Sequence, residues 1–330
     1  MKFNLVVDGN FFLMRNVFPL HNSNTLFGNL ASNLLNGFDR QVSLFPFNQI
    51  FFVSDSKYSW RKTHVNASYK ANRKKKEEID WNFVFTCYSE FKSKISKTSK
   101  ITHLESDGIE GDDWIAGIVK ESNRRGISCL VISSDEDLLQ LLKWSFTPNV
   151  INIQYRDSIM QEKVWLPKGY NIFINSLQKT PVDLFALDWR HDFLELIKKF
   201  KKYTVVEVNP QQALFCKIVQ GDKGDNIESL FISTTKNGKP RGIGDSGAEK
   251  IWQNYIANGD EFVDYHNQET LEYIIDLVVS YKKLENTVTH RTNILNKLNE
   301  NVKLITLVEN YMPEEYTNIL EKSITENIKQ

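Results

Sequence analysis

The chain has 330 residues, 41% hydrophobic and 25% charged, with 15 Gly and 8 Pro. That sets a prior of about two domains and excludes fibrous, collagen-like and wholly disordered classes. Three cysteines, none in a CxxC pair, exclude a disulfide scaffold and a Cys-based zinc module and fit a reducing compartment. The charges balance, 41 against 41, yet Lys57 to Lys100 carries twelve basic against four acidic residues, a net of +8 that leaves −8 for the remainder. Segregated charge suits a polyanion on one face and bound cations at another, although a solvated charged helix also produces a basic run.

In chain order, Phe3 to Val7 is an unbroken apolar run that stops at Asp8-Gly9-Asn10. Ile50 to Val53 and Ser128 to Ser133 repeat the pattern and stop at Ser54-Asp55 and Ser134-Asp135. Runs without alternation are strands buried on both faces, as in a parallel sheet. The longest uncharged stretch, Asn16 to Phe38, is too rich in Asn and Ser to cross lipid, and no signal-peptide core precedes Asp8. A soluble, cytoplasmic protein is the expectation. The spacing predicts helices over 25–44, with Leu26, Leu30, Leu34, Leu35 and Phe38 on one side, and over 112–125, with Trp114, Ile115, Ile118 and Val119.

Strand–helix–strand alternation implies an open α/β sheet with right-handed crossovers and a ligand outside the carboxyl ends of its strands. The pattern blurs over 150–202, where Trp165, Leu166, Tyr170, Ile172 and Phe173 suggest a hairpin and 192–203 an amphipathic helix. Beyond Pro210 the spacing predicts helices over 211–219, 248–256, 260–281 and 290–299, then a short apolar run over 303–308.

All three apolar runs end in an aspartate. Asp8, Asp55 and Asp135 close them, Asp137 follows, and Glu110, Asp112 and Asp113 stand at the start of a helix; Asp222 and Asp225 lie in a Gly-rich turn. Singly, these are turn and capping residues. Together, carboxylates at this density need compensation, and hard divalent cations such as Mg²⁺ or Mn²⁺ supply it. Two such ions about 4 Å apart can activate water and stabilise the leaving oxygen of a phosphodiester. No GxxxxGK[ST], HExxH or GxSxG occurs, and the six histidines read as structural.

The basic segment interleaves Tyr58, Trp60, Arg61, Lys62, Tyr69, Lys70, Arg73, Lys74, Lys75 and Lys76 with Trp81, Phe83, Phe85 and Tyr88. Cations that track phosphates among rings that stack on bases suit a single strand. On a helix, Lys70 and Arg73 would share a face. Farther on, Gly242-Ile243-Gly244 precedes a helix carrying Lys250, with Lys236, Lys239 and Arg241 nearby, which suits a clamp on duplex backbone.

Five ordered motifs, Val6-Val7-Asp8-Gly9-Asn10, Tyr69-Lys70-Ala71-Asn72-Arg73, Gly108-Ile109-Glu110-Gly111-Asp112-Asp113, Ile132-Ser133-Ser134-Asp135-Glu136-Asp137 and Gly221-Asp222-Lys223-Gly224-Asp225-Asn226, resemble the 5′ nuclease (flap endonuclease) superfamily. The resemblance covers nearly the whole chain and is strongest to its T-even bacteriophage members, RNase H-type 5′→3′ exonucleases. It implies two Mg²⁺ (or Mn²⁺) ions held by Asp8, Asp55, Glu110, Asp112, Asp113, Asp135, Asp137, Asp222 and Asp225, some through water. It also implies a catalytic pair, Lys70 and Arg73, at the base of a helical arch, and a helix–three-turn–helix over 221–250 gripping duplex DNA with a monovalent cation. Gly111 stands where the family usually has Ala, and the missing methyl is expected to leave the site intact. About forty residues near 161–203 are extra, and 227–241 is an insertion.

The expected fold is α/β, PIN-like, with a mostly parallel central sheet flanked by helices, a basic arch over 57–100 and a mostly α C-terminal region. The expected domains are 1–208, catalytic, and 209–330, helix–three-turn–helix and C-terminal helices. The resemblance further implies action on nicked, flapped or RNA-primed duplexes in lagging-strand replication; the expected partners are a single-stranded-DNA-binding protein or other replication proteins, and a monomer is the default expectation. If phage-encoded, it would work in the infected host's cytoplasm. The competing readings are a catalytically silent DNA-binding protein and a PIN-type ribonuclease; the complete acidic set disfavours the first, chain length and the Gly-rich region the second.

Overall fold

A computed structural model of the chain describes residues 3–19, 28–43, 47–73, 78–144, 150–156, 163–169, 204–235, 237–259, 261–307 and 311–328. They form two compact units, neither continuous in sequence: the first comprises 1–58, 75–208 and 314–330, the second 59–74 and 209–313.

The first unit is built on a seven-stranded sheet among the described residues, in the order β3-β2-β1-β4-β5-β6-β7. β1 (Phe3–Asp8), β2 (Gln49–Val53) and β4 (Ser128–Ile132) are the three apolar runs, fully buried as their lack of alternation requires. β3 (Ile101–Leu104) and β5 (Asn152–Arg156) extend the parallel part. β6 (Lys163–Pro167) runs antiparallel to β5 and parallel to β7 (Thr204–Val208). Trp165 and Leu166 of the expected hairpin thus lie on β6, while its Tyr170, Ile172 and Phe173, the helix expected over 192–203 and most of the extra segment fall outside the described residues.

Helices α1 (Gly9–Val17), α2 (Leu30–Val42), α4 (Trp81–Ile95) and α5 (Gly111–Arg124) pack on this sheet. Four rings, Phe12, Phe38, Phe52 and Phe91, meet at centroid distances of 5.3 to 6.0 Å in one core. A 3-10 helix, Glu136–Trp144, stands where Asp135 and Asp137 signal a helix start.

The second unit holds α3 (Trp60–His64), α6 (Pro210–Gln220), the two-residue strands β8 (Ser233–Thr234) and β9 (Pro240–Arg241), α7 (Asp245–Ile256), α8 (Gln268–Lys282) and α9 (Val288–Ile305). Phe215, Trp252 and Tyr255 cluster in its core at 5.3 to 5.9 Å. The helix expected over 260–281 begins at Gln268, because Asn267 caps it through the Glu269 and Thr270 N–H groups. The short apolar run that starts at Lys303 finishes α9 as far as Ile305. The chain then returns to the first unit as α10 (Glu314–Asn327), packed on α5.

The expected arch is not one element. Residues 59–73 belong to the second unit, while α4 buries Val84, Cys87, Tyr88, Phe91 and Ile95 in the first.

Candidate active site

The parallel strands deliver their acids to one edge of the first unit's sheet. Asp8 is both the last residue of β1 and the cap of α1: its Oδ1 accepts the Phe11 N–H at 3.0 Å, and Ser133 Oγ donates to its Oδ2 at 2.6 Å. Ser133 Oγ also accepts the Asp135 N–H at 3.0 Å, so one hydroxyl couples two strand-end acids. Burial, with Asp55 and Asp135 nearby, lifts the Asp8 carboxyl to about 6 against the opposing pull of its hydrogen bonds.

Asp55 follows β2 and sits on the N-terminus of α5. Its Oδ1 accepts the Gly111 N–H at 2.6 Å, and Asn10 Nδ2 donates to its Oδ2. A Cβ at Gly111 would lie 2.9 Å from that Oδ1. A methyl at this position would therefore push the Asp55 carboxylate by a few tenths of an ångström from this seat. Asp113 accepts the Glu110 N–H at 3.2 Å, as in a capping box, and both residues are buried, with Asp112 half-buried beside them. Asp135 Oδ1 accepts the Asp137 N–H at 2.9 Å, and Gln154 Nε2 on β5 donates to the Asp135 carbonyl at 2.7 Å.

The remaining two acids lie in the second unit. Asp222 pairs with Lys217 Nζ at 2.6 Å and accepts the Gly224 N–H at 2.7 Å. Burial opposes ionisation of Asp222, but Lys217 and the backbone N–H groups outweigh it and hold the carboxyl below its ordinary range. The loop turns at Gly221 with φ +73°, where a Cβ would lie 2.5 Å from backbone atoms of Ile227 and Glu228, so only glycine fits.

Asp225 faces a basic pocket. Arg73 Nε donates to it at 3.1 Å and Arg73 Nη2 makes a second contact; Tyr69 Oη donates at 3.3 Å and Lys70 Nζ lies at 3.8 Å. Lys70 and Arg73 do not share a helix face, as the spacing suggested. They lie in a turn, Lys70 with φ +57° and its own N–H on the Asp225 carbonyl at 2.8 Å. They meet on Asp225 all the same.

Two residues expected to touch nucleic acid are internal. Arg61 is 1% exposed, with Nε donating to the Leu304 carbonyl at 2.9 Å, and Tyr69 is 5% exposed in the second core. Both are drawn inward because their rings and methylenes cover apolar surface while the polar ends find internal partners. Lys62, Gly244 and Lys250 are exposed, Gly244 as the N-cap of α7, and Gly242 is half-buried; Lys74, Lys75 and Lys76 lie outside the described residues.

Among the described residues, no three Asp, Glu, His or Cys side chains are grouped so as to hold one metal ion. Asp8, Asp55, Asp113, Asp135, Asp222 and Asp225 each accept bonds from the protein itself. The donor set still fits a hard divalent cation: it is all oxygen, and repulsion from Asp55 and Asp135 at Asp8 is the kind a cation relieves.

Sequence reasoning missed Asn10, Ser133 and Gln154, whose short polar side chains carry no periodic signal. It also missed a buried chain in which Ser54 Oγ meets His103 Nε2 at 3.0 Å and Tyr88 Oη at 3.1 Å, immediately before Asp55. Burial, helped by Lys92 and opposed by Glu105, keeps the His103 ring below its ordinary pKa.

Parallel strands that carry carboxylates to their common end, on a sheet covered by helices, define an α/β protein with an acidic site at the carboxyl edge. Residues 4–166, just under half of the chain, match the family described as the 5′-3′ exonuclease, N-terminal resolvase-like domain. A 5′-3′ exonuclease of Buchnera aphidicola subsp. Schizaphis graminum is 27% identical over 193 residues, 56% of this chain and 61% of that protein. DNA polymerase I of Caldicellulosiruptor bescii is 23% identical over 257 residues, 77% of this chain and 24% of that protein. The chain thus spans about three fifths of the first relative and a quarter of the second.

Solved structures of the T5 D15 protein share the fold. One, crystallised with metal ions, aligns with a TM-score of 0.60 at 20% identity, covering 98% of this chain and 99% of that one. Another, of the bacteriophage T5 D15 flap endonuclease in a complex with DNA and metal ions, gives 0.59 at 19%, covering 98% of each. No helix among the described residues is long and apolar enough to cross a membrane.

Proposed function

We propose that this chain is a divalent-metal-dependent 5′→3′ exonuclease and flap endonuclease, hydrolysing phosphodiesters at the 5′ ends of nicked, flapped or RNA-primed duplexes. Its task is primer removal in lagging-strand replication, as a monomer alongside a single-stranded-DNA-binding protein. The observation that carries the reading is the coupling of Asp8, Asp55 and Asp135 at the carboxyl edge of the parallel sheet, marked by the Asp8 carboxyl raised to about 6. The T5 relative's structure with DNA and metal ions supports it.

Asp8, Asp55, Glu110, Asp112, Asp113, Asp135 and Asp137 would hold the cation, Mg²⁺ or Mn²⁺, with Asp222 and Asp225 contributing to a second. Such ions supply a hydroxide nucleophile and neutralise charge on the leaving oxygen. The chain's own groups set the frame. Ser133 and the Phe11 N–H orient Asp8, while Asn10 and the Gly111 N–H orient Asp55. Lys70 and Arg73 offer the positive charge that a phosphate in the transition state needs, and Asp225 keeps them together until then. The exposed N-terminus of α7 and Lys250 suit the phosphates of a duplex, read without sequence preference.

The test is cleavage of a 5′-labelled flap duplex by purified protein. Short 5′ products with Mg²⁺ or Mn²⁺ and none in EDTA are expected. Tight binding with no cut in either metal would instead identify a silent binding protein.

A further inference from the structure

The duplex-gripping reading assigns no role to the last turn of α8, yet Tyr281 and Lys282 there both reach the turn that opens α7. Lys282 Nζ donates to the Gly242 carbonyl at 3.4 Å, and its ammonium lies 5.7 Å from the Phe231 ring centroid and 6.0 Å from that of Tyr281. The other polar end of the same Gly242–Ile243 peptide is held as well: the Ile243 N–H donates to Ser229 Oγ at 2.8 Å, and Ser229 Oγ donates to the Val219 carbonyl at 3.2 Å. Tyr281 closes the turn from the far side, where a Cβ at Gly247 would lie 2.6 Å from its hydroxyl.

Lys282 is half-buried, and the charge acting on it is the like charge of Arg241, so both burial and repulsion disfavour its ionised form. A cation kept in such a place needs compensating contacts; the Gly242 carbonyl supplies a hydrogen bond, and the Phe231 and Tyr281 rings lie within reach of its charge. An ammonium on that oxygen polarises the peptide and strengthens its N–H as a donor to Ser229.

We propose that Lys282, with Tyr281, is a positioning residue of the duplex clamp: it locks the Gly242–Gly247 turn so that the N–H groups at the start of α7 stay oriented toward phosphate. The proposal rests on the duplex-binding reading above, and two independent readouts separate their failures. In the first, backbone hydrogen exchange is followed at Ile243, Gly247 and Ala248 without DNA, in wild type, Lys282→Met and Lys282→Arg. Faster exchange at these amides in Lys282→Met, largely reversed in Lys282→Arg, is expected.

In the second, duplex affinity is measured in EDTA across a salt series. Lys282→Met is expected to weaken binding about fivefold at every salt concentration, with the log–log slope unchanged. A slope reduced by about 0.9 would mean that Lys282 touches a phosphate directly and would overturn the positioning role. Unaltered exchange and affinity in a normally melting Lys282→Met protein would overturn it too. Faster exchange in a chain whose wild type binds no duplex would uphold the lock on the turn and sink the duplex reading.

Discussion

Asp8 concentrates the electrostatics of the acidic edge in one carboxyl. Its folded-state pKa of about 6 lies above the ordinary carboxyl value of 3.8. The native state therefore holds this proton more tightly than the unfolded chain does. The stability this contributes is complete below about pH 4 and is lost as the pH rises through 6. In EDTA, Asp8→Asn should flatten the fall in stability between pH 4 and 7. At pH 8 it should leave the protein about 1–3 kcal/mol more stable than wild type, read by urea denaturation, while abolishing cleavage. An equal pH dependence in both proteins would refute the origin given for the shift.

The position of Asp8 was legible because an apolar run must stop somewhere, and it stops at a charge. Ser133 and Gln154, which fix Asp8 and Asp135, were not, since a lone hydroxyl or amide gains its meaning from a neighbour over a hundred positions away in one case and on the adjacent strand in the other.

Among elements, those with one burial pattern throughout were readable, as β1, β2, β4 and α5 show. β5 was not: it is buried, yet its Asn152 and Gln154 look like surface residues until Asn123 is seen to bond the first and the Asp135 carbonyl the Nε2 of the second. β7 was lost for the opposite reason, being short and largely exposed. The basic segment misled because charge was taken for surface. Arg61 pins α3 to the end of α9, and Asn66 of the following turn bonds Glu300 on the same helix. Arg61→Ala should cost about 2–4 kcal/mol, by leaving a buried carbonyl unpaired and a hole beside Trp60. The folded fraction should keep the wild-type salt slope for duplex binding, whereas a Lys250→Ala chain should show a shallower slope and ordinary stability.

For the whole chain, zero net charge conceals an acidic edge in one unit and internally paired acids in the other. A divalent ion that binds the folded acidic edge stabilises it by mass action. Mg²⁺ added to metal-free protein should raise the wild-type Tm and leave that of Asp8→Asn nearly unmoved, as followed by circular dichroism. A shift of the same size in both would place the binding ion elsewhere.

The return of the chain to its first unit through α10 sets a timetable. Leu320 and Ile324 of α10 lie so close to Gly117 on α5 that a Cβ there would come within 2.6 Å of Leu320. Arg125, just past α5, donates to the Ile328 carbonyl at 2.7 Å. During synthesis the ribosome must finish every residue of the second unit, through 313, before α10 emerges to cover that groove. The acid-bearing unit begins first and is sealed last. A nascent chain stalled before residue 314 would carry all nine acids with the α10-facing side of α5 still uncovered.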